Sequence, residues 1–168
     1  MRRRTSPDEV AGQALALLVA ARATLATAES LTGGRLAAAV TSVPGASQCY
    51  VGGFVTYATE LKEALLGVPA ALVEQYGVVS GECARAMAEG CRAVTGASYA
   101  VATTGVAGPD RQEGRPVGTV FVGVAGPDGV TAISMELVGD RQQIQDRACR
   151  EALAALCSIL RREQPPLG

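Results

Sequence analysis

The chain has 168 residues, 48% of them apolar, a formal net charge of -1 and neither histidine nor tryptophan. A domain of this length hides roughly 70% of the surface that its unfolded chain exposes, so it needs no disulfide or metal staple. The missing histidine excludes a Ser-His-Asp triad, a Cys-His dyad and a His-ligated zinc, while the balanced charge and 4% aromatic content argue against a nucleic-acid surface.

Arg2, Arg3 and Arg4, the apolar stretch Ala14 to Ala20 and Ala26-Thr27-Ala28 imitate a secretory signal. Ser6-Pro7-Asp8-Glu9 argues otherwise: it reads as a helix cap, a first-turn proline and an acid three residues on. No run approaches the ~18 apolar residues of a membrane span. Val10, Ala14, Leu17 and Ala21 recur at helical spacing and predict a first helix over 7–22. A short strand over 24–28 then enters the polar turn Glu29 to Gly34, and a helix follows over 35–43.

After the break at Pro44-Gly45-Ala46-Ser47, residues 49–57 read as an extended run. Thr59 is placed to cap a short helix that carries Lys62 and ends at Gly67, and 69–76 adds a further turn or two. Ser80-Gly81-Glu82 opens an amphipathic helix through Val94 that Gly96 closes. A strand over 99–103 leads into a long loop that reaches Pro116, and 117–125 with 130–138 forms a hairpin around Gly126-Pro127-Asp128-Gly129. Gly139-Asp140 starts the last helix, with Cys149, Leu153, Leu156 and Leu160 on its buried stripe. The pattern predicts a single three-layer α/β/α domain over 1–163, with a mixed sheet that includes the C-terminal antiparallel hairpin, and a loose tail over 164–168.

Five cysteines, an odd number without a C-x-x-C pair, fit neither a disulfide framework nor a thiolate metal site, and they point to a reducing cytoplasm. They read as small buried hydrophobes.

Chemistry is sought first at Lys62, the one lysine beside fourteen arginines. Arginine cannot lose its proton, whereas a desolvated lysine can serve as a base near neutral pH. From its rarity alone, Lys62 is as readily a surface residue as a base. Tyr57 stands at a strand end five residues earlier, where α/β folds bind ligands, though by itself it reads equally as a half-buried ring. Ser30 lies in the turn before Gly33-Gly34, where its hydroxyl can be exposed and nearby amides can face an oxyanion; Ser30 and Thr32 also fit as ordinary helix caps. Thr104 and Gly105 open a loop that lets a ligand approach the backbone. Arg141, at the start of the last helix, can hold an anion or simply be solvated.

Taken together, these residues resemble a family, the C-terminal domain of the competence/damage-inducible CinA proteins, which also occurs alone as nicotinamide-nucleotide amidase. The resemblance rests on Thr27 to Gly34, Pro44 to Ser47, Gly53 to Tyr57, Gly77 to Ser80, Gly105 to Pro109, Pro116 to Val120 and Gly139 to Arg141, in order along nearly the whole chain. It implies hydrolysis of the carboxamide of nicotinamide mononucleotide to nicotinate mononucleotide and ammonia by a Ser/Lys mechanism. The implied nucleophile is Ser30, the base Lys62 and an assisting residue Tyr57. Thr32, Gly33, Gly34, Ser47, Thr104, Gly105 and Arg141 are the implied substrate-binding positions. The resemblance implies no metal or organic cofactor and a homo-oligomer, while charge, composition and the lack of a long apolar run predict neither a nucleic-acid nor a membrane partner. Where the family commonly has Tyr-Ser-Asn-Glu-x-Lys, this chain has Thr59 at the asparagine position. The alternative is a non-catalytic nucleotide-binding or regulatory module linked to competence or DNA damage.

Overall fold

The computed structural model describes residues 5–164; the arginine run at 2–4 and all of the expected tail but Gln164 lie outside the described residues. In chain order the elements are α1 (Pro7–Ala20), β1 (Leu25–Glu29), α2 (Arg35–Thr41), β2 (Tyr50–Val55), α3 (Thr59–Leu66), α4 (Ala70–Tyr76), α5 (Gly81–Thr95), β3 (Tyr99–Gly105), β4 (Thr119–Gly126), β5 (Gly129–Glu136) and α6 (Arg141–Glu163), with a 3₁₀ turn at Ala46–Gln48.

The strands form one mixed sheet in the order β2-β1-β3-β4-β5, in which β1 pairs parallel with β2 and β3, and β4 joins β3 and β5 antiparallel. Helices cover both faces. Leu25, Val101, Val120, Val122 and Val124 pack with α1, α2 and α6, while Ala26, Ala28, Ala100, Ala102 and Ala125 face α5. The small side chains of the second set let α5 lie close to the sheet. Gly90 on α5 does the same for α3: a Cβ there would lie 1.7 Å from the Leu66 carbonyl oxygen. The lysine-bearing helix is therefore seated backbone to backbone on α5.

Several helix limits follow from local chemistry. Ser6 and Glu9 form a reciprocal capping box on α1, Asp140 and Gln143 do so on α6, Ser80 caps α5 through the Cys83 amide, and Gly96 closes α5 with left-handed backbone. Gln164 closes α6, and its side-chain amide donates to the Leu17 carbonyl.

Three local expectations change. Ala58, not Thr59, is the N-cap of α3; Thr59 is already helical and makes no side-chain cap. β3 runs to Gly105 because β4 pairs with it as far as Gly105↔Val120, so Thr104 and Gly105 sit on a strand end and not in a loop. β1 ends one residue later than expected, at Glu29, which brings a fully buried carboxylate to the strand's end. On the β2 edge the register shifts beside Leu25/Ala26, so that Tyr50 packs on the α1 side of the sheet and Phe54 on the α5 side.

Because β1 connects through α2 to β2 on one side, and β2 connects through three helices to β3 on the other, the carboxyl ends of β1 and β3 form a topological switch point. The cleft lies there.

Candidate active site

Three strand ends supply the cleft: Ser30 follows β1, Tyr57 follows β2, and Thr104 and Gly105 end β3. Lys62 on α3, the loop residues Gly108, Asp110 and Gln112, and Arg141 at the first turn of α6 complete the lining.

Lys62 is 1% exposed, and its Nζ donates to Ser30 Oγ at 3.0 Å, to the Thr56 carbonyl at 2.7 Å and to the Tyr57 carbonyl at 3.3 Å. Thr56 is itself pinned, since its backbone amide donates to the Glu29 carbonyl at 2.8 Å. Burial pushes the Lys62 ammonium below its ordinary pKa; the Cys83 thiol, then Glu113 and Glu60, act in the opposite direction. Burial also lifts the Cys83 thiol to about 11, so it carries no charge near neutrality and desolvation prevails. A neutral Lys62 would keep N–H bonds to the Thr56 and Tyr57 carbonyls and turn its lone pair to the Ser30 hydroxyl. That is the arrangement of an activated serine.

The turn after Ser30 supplies the complementary donors. The Ser30 amide donates to the Thr103 carbonyl at 3.0 Å and the Gly33 amide to the Ser30 carbonyl at 3.1 Å, while Gln145 of α6 donates to the Leu31 carbonyl at 2.8 Å. Among the described residues the Leu31 and Thr32 amides have no acceptor. Of the two, Leu31 lines the cleft, and a free amide beside the Ser30 hydroxyl is a donor suited to a developing oxyanion.

Tyr57 is largely exposed, and its hydroxyl accepts from Arg141 Nη2 at 3.0 Å, so the lysine meets its carbonyl while its hydroxyl serves the arginine. Arg141 Nη1 also donates to the Gly108 carbonyl, which ties the loop after β3 to α6. Thr104 is buried, and its hydroxyl donates to the Val78 carbonyl at 2.7 Å.

The remaining sequence candidates lie elsewhere. Thr32 is fully buried and donates its hydroxyl to Glu29 Oε1 at 2.7 Å, away from the cleft lining. Gly33 and Gly34 form the left-handed turn into α2, with the Gly34 amide on Glu29. Ser47 sits in the 3₁₀ turn and lines a separate depression with Thr41, Pro44 and Tyr50. Sequence reasoning missed Glu29, whose signal was a carboxylate ending an otherwise small-residue strand just before a glycine turn. It also missed Gln145, and Glu113, whose two carboxylate oxygens accept from the Val78 and Val79 amides at 3.0 Å each. Among the described residues no group of three or more Cys, Asp or Glu is placed to hold a metal ion, and no helix is long and apolar enough to cross a membrane.

Fold and site together define an α/β domain with a buried lysine on a half-buried serine at its topological switch point. Residues 7–160 match the family model described as the CinA C-terminal domain, and the chain belongs to that family. It is 53% identical over 146 residues to a CinA-like protein of Frankia casuarinae, covering 87% of this chain and 34% of that protein. It is 42% identical over 139 residues to a putative competence-damage inducible protein of Halalkalibacterium halodurans, covering 82% of this chain and 33% of that one. The chain thus spans about a third of the length of these relatives. The crystal structure of the competence damage-inducible protein A from Klebsiella pneumoniae superposes with a TM-score of 0.92 at 35% identity, covering 95% of this chain and 99% of that one. A CinA superfamily protein from Escherichia coli superposes with a TM-score of 0.91 at 31% identity, covering 95% and 93%.

Proposed function

We propose that this domain hydrolyses the carboxamide of nicotinamide mononucleotide, releasing ammonia and nicotinate mononucleotide. The observation that carries the reading is the 3.0 Å contact between Lys62 Nζ and Ser30 Oγ, made by a buried lysine whose pKa desolvation lowers. Lys62 takes the Ser30 proton as Oγ attacks the amide carbon, and the free Leu31 amide receives the oxyanion. The tetrahedral intermediate collapses, the protonated lysine gives its proton to the departing nitrogen, and ammonia leaves. Water, deprotonated by the same lysine, then cleaves the acyl-serine. Arg141, at the open side of the cleft, is the anchor for the phosphate, and Tyr57 orients its guanidinium. This chemistry needs no metal.

The test is ammonia release from nicotinamide mononucleotide by the purified protein, with Ser30→Ala and free nicotinamide as controls. Release that the alanine abolishes and that nicotinamide does not support is the expected result. No release from folded protein would overturn the reading and leave a nucleotide-binding module.

A further inference from the structure

Glu29 is fully buried, and among the described residues it pairs with no cation. Its carboxylate instead accepts four hydrogen bonds: from Thr32 Oγ1 at 2.7 Å, the Leu36 amide at 2.8 Å, and the Gly34 and Ala37 amides at 3.2 Å each. Gly34 is the N-cap of α2 and has no side chain with which to cap it, so the first amides of that helix depend on an acceptor from outside.

The polarity of this network is determined. A carboxylate only accepts, so the Thr32 hydroxyl must donate to Glu29, and the 2.8 Å contact between Thr32 Oγ1 and Thr103 Oγ1 is then donated by Thr103. Thr103 also accepts the Ser30 amide through its carbonyl. Residues 29–37 therefore form a closed loop around Ser30. Its start is fixed in the sheet and its far end is fixed to the side chain of its own first residue. The carboxylate takes the Gly34, Leu36 and Ala37 amides and leaves that of Leu31, which lines the cleft, without an acceptor among the described residues.

We propose that Glu29 is a positioning residue, which holds the nucleophile turn so that Ser30 Oγ stays on Lys62 Nζ and the free Leu31 amide stays at the cleft beside it. This rests on the serine–lysine reading above. The experiment reads Ser30 reactivity with an alkyl fluorophosphonate, so that it does not depend on the identity of the natural substrate. Ser30 Oγ forms the P–O bond, the P–F bond breaks and fluoride leaves, and the hydroxyl proton passes to Lys62. The final stoichiometry counts folded sites, and the rate constant reports how well each is organised.

Glu29→Gln, which turns an amide NH₂ toward donors, and Thr32→Val are each expected to slow labelling and kcat by roughly 10- to 100-fold, with KM changed little. Thr32→Ser is expected to restore most of the rate. Wild-type rates in folded Glu29→Gln and Thr32→Val would overturn the proposal while leaving the serine–lysine reading intact. If Glu29→Gln does not fold, the Thr32 pair decides: a slow valine variant with serine rescue supports the proposal, and two wild-type rates overturn it. Wild-type protein inert toward both fluorophosphonate and nicotinamide mononucleotide would overturn the serine–lysine reading and this inference with it.

Discussion

Lys62 Nζ stands 3.0 Å from Ser30 Oγ, across 32 residues of chain, and the other two acceptors around that nitrogen are backbone carbonyls. A carbonyl can neither donate to the lysine nor take its proton. The surroundings therefore accept the lysine's hydrogens in either protonation state, and of these three partners the serine hydroxyl is the one able to give it a proton.

Lys62→Arg and Lys62→Met are expected to lower kcat by about 10²–10⁴-fold, the range of a lost general base, because neither side chain can take the Ser30 proton. In the wild type, kcat/KM is expected to rise with pH as Lys62 loses its proton, with burial moving the midpoint of that rise below the ordinary lysine value of 10.5. A pH–rate profile checks the midpoint, and substantial activity in Lys62→Arg would remove the lysine from the mechanism.

The same burial predicts a pH-dependent stability. Between the lowered folded-state pKa and 10.5 the unfolded chain holds the Lys62 proton and the folded chain does not, so the lysine's contribution to stability grows as pH rises through that window. Below it the buried ammonium is at its most costly. Lys62→Met, which has no such charge, is therefore expected to gain most in Tm over the wild type at the acid end and least near the alkaline end. Thermal unfolding of both proteins across that range measures the difference, and a constant offset would contradict it.

Arg141→Gln removes the charge while leaving a polar side chain on α6. If Arg141 anchors the phosphate, KM for nicotinamide mononucleotide is expected to rise roughly 10- to 100-fold, in line with the loss of a charge-assisted hydrogen bond. The preference for the mononucleotide over the corresponding riboside, which lacks the phosphate, is expected to collapse. Steady-state kinetics on the two substrates decides, and an unchanged preference would place the phosphate elsewhere.

Gly90→Ala sets two effects against each other. Helix propensity favours alanine by about 1 kcal/mol. The new Cβ, however, would fall 1.7 Å from the Leu66 carbonyl oxygen, a backbone atom that cannot move without shifting α3. The collision wins: a net loss of about 1–3 kcal/mol is expected. Since α3 carries Lys62, kcat should fall with it. Denaturant unfolding and activity measured on one preparation test the pairing.

All five cysteines are buried and unpaired, and burial raises every thiol, Cys83 to about 11 and Cys91 to about 12. Native protein is expected to react slowly with an aromatic disulfide at pH 8 and to release five equivalents only after unfolding. A fast equivalent from native protein would reveal an opening of the core.

Where a signal is local, the sequence carries it. Ser6 with Glu9, Asp140 with Gln143, and Gly96 mark helix ends because each acts within three or four residues of the backbone it satisfies. The Pro127-Asp128 turn likewise announces its hairpin. Ser30, Tyr57, Lys62, Thr104, Gly105 and Arg141 meet at one cleft, although the sequence puts only Tyr57 at a strand end, with Ser30 in a turn and Thr104 and Gly105 in a loop. Thr32 looked like a pocket residue because its neighbours are. The turn that follows β1 decides otherwise: because the chain leaves the extended conformation at Ser30, Ser30 meets the lysine and Thr32, two residues on, meets the carboxylate. Glu29 stayed silent because its partners are backbone amides, which every sequence has, and only the left-handed turn at Gly33-Gly34 gathers them. Ala58 displaces Thr59 as the cap because α3 starts one residue sooner than a hydroxyl-based reading assumes, with Thr59 already in its first turn.

That Lys62 is both the chain's single lysine and 1% exposed gives the folded protein an unusual chemical silence. Acylating, glycating or carbonyl reagents that hunt for side-chain amines find none at the surface of this molecule, and the arginines that supply the rest of its positive charge do not answer to them. A single amine adduct beyond the α-amino group would mark a molecule whose cleft had opened. Mass spectrometry of amine-labelled protein could therefore follow breathing of the site one molecule at a time, without a probe having to be engineered into it.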